Sequence, residues 1–127
     1  MAGAEVDGAG LLVRHGGLDL LVLLGSRARG DAAPGSDWDL GYLGDTVDPL
    51  SLRADLVDAL GTDDVDLVPL ARASAVLRRD AAVEGVVLAA RQPDAFARFQ
   101  VEAVSFWADV EPVVREAHDD VVRAVGG

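Results

Sequence analysis

The stretch Leu18-Asp-Leu-Leu-Val-Leu-Leu-Gly25-Ser26-Arg-Ala-Arg29-Gly30 and, ten residues past the Gly-Ser, Ser36-Asp37-Trp38-Asp39-Leu-Gly-Tyr-Leu43 decide the reading of this chain. Leu18–Leu24 is apolar except for Asp19 and reads as a strand. Gly25-Ser26 closes it, and Ser26–Gly30 reads as the opening of a short helix. Glycine has no Cβ, so the backbone there can approach a bulky anion. A helix start adds unpaired N–H groups and a positive dipole end, which suits phosphate. Ser26 supplies a hydroxyl donor, and Arg29 shares its face of the turn. In the second strand, residues 37–43, positions i and i+2 share a face. Asp37 and Asp39 therefore point one way and Trp38 the other.

Two like charges so close raise each other's pKa, and a hard divalent cation between them relieves the repulsion. A third carboxylate is available in the strand-like run Val65-Asp66-Leu67-Val68. Three carboxylates beside a phosphate cradle are the parts of a two-metal phosphoryl or nucleotidyl transfer site. The Asp-x-Asp pattern alone carries no weight. With 17 aspartates in 127 residues such pairs arise by chance, and Asp64/Asp66 forms a second. The weight lies in the Gly-Ser turn upstream and the apolar strand that follows. Asp64 shares the facing of Asp66, so the spacing leaves open which completes the site.

Over residues 18–70 the chain resembles the DNA polymerase β-type nucleotidyltransferase superfamily, and within it the minimal nucleotidyltransferases (MNT). The resemblance rests on Gly25-Ser26-Arg27-Ala28-Arg29-Gly30, Gly35-Ser36-Asp37-Trp38-Asp39-Leu40 and Val65-Asp66-Leu67-Val68. Gly41 departs from it, since an aliphatic residue is more usual there. The resemblance implies an α+β fold, a polymerase β palm-like mixed sheet packed against helices with a long C-terminal helical segment. It implies Asp37, Asp39 and Asp66 as catalytic residues and ligands of two Mg²⁺ ions, with Asp66 favoured over Asp64. Gly25, Ser26, Arg29 and Ser36 become nucleotide-binding residues, with ATP as the substrate. Small members of the family act as antitoxins paired with HEPN-domain toxins, and some adenylylate a tyrosine of the toxin. The same motif leaves two further readings, a transferase acting on a small hydroxylated molecule such as an aminoglycoside and an antitoxin that only binds.

Length and composition narrow the field. Residues 1–127 are expected to form one domain, without room for an accessory acceptor-binding domain. There is no cysteine, which excludes disulfides and thiolate metal sites. No run is long enough for a membrane span and no signal peptide is evident, so a cytoplasmic location is expected. The formal net charge of −11, with all eleven basic residues arginine, argues against direct nucleic-acid binding and for a basic protein partner.

Elsewhere, Ala4–Arg14 reads as a weak helix broken by His15-Gly16-Gly17. Asp48-Pro49 opens a helix that ends at Gly61. Val65–Leu70 is a strand, Ser74–Val83 a helix and Val86–Ala90 an edge strand. From Pro93 to Val125 a helical stripe, Phe96, Phe99, Ala103, Phe106, Val110, Val113, Ala117 and Val121, is expected to cover one face of the sheet, with Pro112 kinking or restarting it. His15 and His118, without a carboxylate at ligand spacing, are expected at the surface, and Trp38 and Tyr42 in the core.

Overall fold

A computed structural model describes residues 6–126, with side chains to residue 112. Ten elements follow one another: α1 (Gly8–Arg14), β1 (Leu20–Leu24), α2 (Gly25–Arg29), β2 (Trp38–Leu43), α3 (Pro49–Leu60), β3 (Val65–Pro69), a 3₁₀ turn (Leu70–Arg72), α4 (Ala75–Glu84), β4 (Val86–Ala90) and α5 (Ala95–Gly126). The strands form one mixed sheet in the order β3-β2-β1-β4. β1 is antiparallel to both neighbours, while β2 and β3 run parallel, joined by the α3 crossover.

The central position of β1 explains its unbroken apolar run. All five residues are buried, with Leu21 and Leu23 facing a cluster that includes Leu40, Leu52 and Leu56. Leu20, Val22 and Leu24 face the other way, onto Leu70, Ala81, Ala82, Phe99 and Ala103. A strand covered on both faces cannot alternate apolar and polar residues. β2 does alternate. Trp38, Leu40 and Tyr42 are buried, which leaves Asp39 and Gly41 on the α4–α5 side. Gly41 is explained by its neighbour, since a Cβ there would stand 2.6 Å from Cδ2 of the fully buried Leu70.

Local chemistry sets the helix ends. Asp48 caps α3 by accepting from the Leu50 and Ser51 N–H groups, Pro49 fills the first helical position, and Gly61 ends the helix at φ 71°. Ser74 Oγ caps α4 by accepting from Leu77 N. Among the described side chains of α5, Phe99 and Ala103 are buried, whereas Phe106 is exposed. Val113, Ala117 and Val121 lie outside the described side chains. The helix runs through Pro112 as one element and does not restart there. Among the described residues, no helix is long and apolar enough to cross a membrane.

Candidate active site

Strand register assembles the acidic centre. Asp39 pairs across β1–β2 with Leu24, the residue before Gly25, and across β2–β3 with Asp66. One row across the sheet therefore carries the end of β1, Asp39 and Asp66. Asp39 is half-buried. Burial, and then the charges of Asp66 and Asp37, hold its carboxyl above the ordinary carboxylate value. Asp37 is exposed at the entry to β2, and Asp66 is exposed on β3.

Gly25 has φ 69°, and a Cβ there would stand 2.9 Å from Asp39 Oδ2. The glycine thus serves both the left-handed turn and the close approach of the carboxylate. Next to it a cavity of about 200 Å³ is lined by Gly25, Arg29, Asp39 and Asp66 on one side, and by Leu77, Asp80, Ala81 and Glu84 of α4 on the other. Ser26 and Ser36 do not line it, and neither does Asp37. Arg27 organises the intervening loop: its Nη2 donates to the Ser36 carbonyl at 2.8 Å and its guanidinium lies 4.2 Å from the Trp38 ring centre. Arg29 donates from Nε to Asp31 at 3.3 Å and from Nη1 to Glu84 at 3.2 Å.

Residues 10–94 match the family model for polymerase β nucleotidyltransferases, about two thirds of the chain. The chain belongs to that family. No curated protein matches it by sequence. Among solved structures, a toxin–antitoxin complex with AMP-PNP contains a chain 33% identical to this one, with coverage of 90% of this chain and 94% of its own at a TM-score of 0.75. The MntA–HepT toxin–antitoxin complex matches at 31% identity, 90% and 92% coverage and a TM-score of 0.68. A complex of tri-AMPylated Shewanella oneidensis HEPN toxin with MNT antitoxin matches at the same identity, coverage and TM-score.

For a polymerase β-type nucleotidyltransferase the donor set is chemically apt. Asp37, Asp39 and Asp66 offer only carboxylate oxygen, the preference of Mg²⁺. The repulsion felt at Asp39 has the sign that a cation relieves. Among the described residues no three acidic, histidine or cysteine side chains converge as they stand on one metal position. Asp66, not Asp64, is the carboxylate that lines the cavity and acts on Asp39.

One expectation is overturned. His15 is buried at 8% exposure, and its Nε2–H donates to Asp55 Oδ2 at 2.6 Å. The partner stands 40 residues away on α3, beyond any local spacing rule. That bond, with help from Arg14, holds Asp55 below its ordinary value. It fastens the end of α1 to α3, away from the acidic centre. His118 lies outside the described side chains. Sequence reasoning also missed the α4 wall. Leu77, Asp80, Ala81 and Glu84 recur at helical spacing, but nothing in that spacing tells a cavity wall from a solvent face.

Proposed function

We propose that this nucleotidyltransferase is the antitoxin of a HEPN–MNT pair, a cytoplasmic enzyme that transfers AMP from ATP to a hydroxyl of a HEPN-domain toxin, with tyrosine the favoured acceptor. The observation that carries the reading is the likeness, at 31% identity over most of both chains, to a complex whose HEPN toxin is tri-AMPylated. The residues on the page suit it. Asp37, Asp39 and Asp66 would hold two Mg²⁺ ions, which neutralise phosphate charge and polarise the α-phosphoryl group when bound. Gly25 leaves room for the triphosphate, Ser26 and Ser36 offer hydroxyl donors, and Arg29 supplies a cation for the β- and γ-phosphates. The acceptor oxygen bonds to the α-phosphorus as the bond to the bridging oxygen of pyrophosphate breaks. Asp66 helps to take the hydroxyl proton. The net charge of −11 favours a basic protein over nucleic acid as the partner.

The test is labelled ATP with Mg²⁺ in a lysate of the source cells, comparing wild type with the Asp37→Asn/Asp39→Asn double variant. The expected result is one labelled protein band that requires the aspartates. Label in a small conjugate instead would transfer the activity to a small-molecule acceptor. Capture of a partner with no label anywhere would leave an antitoxin that only binds.

A further inference from the structure

Arg29 carries the only positive charge among the described residues lining the cavity, against Asp39, Asp66, Asp80 and Glu84. A nucleoside triphosphate brings about four more negative charges at neutral pH, so any direct ionic contact from the lining falls to this guanidinium. Yet Arg29 is already taken. Its Nη1 donates to Glu84 Oε2 at 3.2 Å, and its Nε is held by Asp31. Glu84 is the last residue of α4, and the pair bridges α4 to α2. Both partners are nearly half exposed, at 44% and 43%. An ion pair that open to water contributes little to folding. It is also readily exchanged for a phosphate, which presents more charge and more acceptor oxygens.

We propose that Glu84 is a placeholder anion: it occupies Arg29 in the nucleotide-free site, and the triphosphate must displace it to gain that arginine. The inference rests on the nucleotide-binding reading above and adds a determinant of nucleotide affinity. Two features of the site favour displacement over a shared contact. Glu84 lines the same cavity as Arg29 and its carboxylate sits against the guanidinium, so a phosphate reaching that guanidinium would meet it. Asp31 remains on the Nε edge, so Arg29 stays anchored to its own loop after Glu84 lets go. Glu84 is thus a residue that acts through Arg29, and its removal frees the cation without removing it.

The experiment measures the affinity of the full-length protein for the Mg²⁺ complex of the α,β-methylene analogue of ATP, which cannot donate its adenylyl group. Calorimetry on five proteins is needed: wild type, Glu84→Gln, Arg29→Ala, the double variant and, as the charge-keeping control, Glu84→Asp. The expected result is a three- to ten-fold tighter complex for Glu84→Gln, since the competing charge is gone while the side chain keeps its shape. Glu84→Asp should fall well short of that gain. Arg29→Ala should bind more weakly than wild type, and in its background Glu84→Gln should gain less than two-fold, because no arginine is left to compete for. Unchanged or weaker binding by Glu84→Gln would overturn the proposal and make Glu84 a support for Arg29. So would a full gain in the Arg29→Ala background, which would mean repulsion through space. Either outcome leaves the nucleotide site standing, whereas a wild type that binds no analogue with Mg²⁺ would remove both readings. Circular dichroism melts of each variant separate lost folding from lost binding.

Discussion

Asp39→Asn should make the ligand-free protein more stable while abolishing transfer. Neighbouring strands lie about 4.8 Å apart. Like unit charges at that distance repel by about 1 kcal/mol in watery surroundings and by about 3 kcal/mol at an effective dielectric of 20. Asp66 is exposed on the neighbouring strand, so the lower figure applies to it, while exposed Asp37, two residues back at the entry to the same strand and about 6.6 Å away, adds about 0.6 kcal/mol. With the desolvation of the half-buried carboxylate added, ionised Asp39 costs the fold about 2 kcal/mol. Asparagine keeps the shape and drops the charge. For a domain of this size the melting temperature should rise by about 4–10 °C at pH 7.5 in EDTA. The urea midpoint should rise with an unchanged slope. The sign can be checked with pH. A carboxyl whose value is raised on folding binds its proton more tightly in the folded state, so stability falls as pH rises from the ordinary value of 3.8 through the raised one. The advantage of the variant should therefore shrink as the pH is lowered through that window. A variant no more stable than wild type at pH 7.5 in chelator would refute the reasoning, since it would mean that the carboxylate cluster carries no net strain.

Two further outcomes follow from the packing. Asp55→Asn should cost about 1–3 kcal/mol at neutral pH in chemical denaturation, because it weakens the bond to the buried His15. Asp55 has a lowered value in the folded state, so its contribution is present above 3.8 and is lost as pH falls through the lowered value, where the two proteins should converge. Gly41→Ala should cost about 1–3 kcal/mol, because the new methyl meets the fully buried Leu70 side chain. A melting temperature equal to wild type would show that Leu70 can move aside.

Much of the fold was legible because it follows from local rules. The apolar run Leu18–Leu24 reads as a strand, and Leu20–Leu24 is one, while Asp48-Pro49 with Gly61 marks both ends of α3 by capping chemistry. The edge position of β4 and the burial of Trp38 and Tyr42 also agree with the sequence reading. What escaped depends on distance along the chain. His15 looked exposed because its carboxylate is on another helix. Gly41 stood only as a departure from the family pattern because Leu70 was not visible beside it. In the α5 stripe Phe99 and Ala103 are buried as expected while Phe106 is exposed, since periodicity reports an apolar face and not what the face meets. At the acidic centre, the sequence supplied Gly25, Arg29, Asp39 and Asp66 but not Asp80 and Glu84, whose relevance comes only from where α4 is laid.

The register also explains why so exposed a cluster of carboxylates can be held in place. A slip of one residue between β1 and β2 would turn Asp39 into the cluster of Leu40, Leu52 and Leu56, and turn Trp38 and Leu40 toward the cavity. The apolar side chains beneath β2 therefore fix the direction of Asp39, at the expense of a repulsion that the core can carry. Asp66 is fixed in the same way through the parallel pairing of β2 with β3, where Val65 anchors the opposite face. Arg29 and Glu84, by contrast, sit on helix ends and meet through long side chains open to water. The carboxylate row is thus set by strand register and the Arg29–Glu84 pair by side chains open to water, a division that fits the proposed cation ligands and the proposed exchange of Glu84 for phosphate.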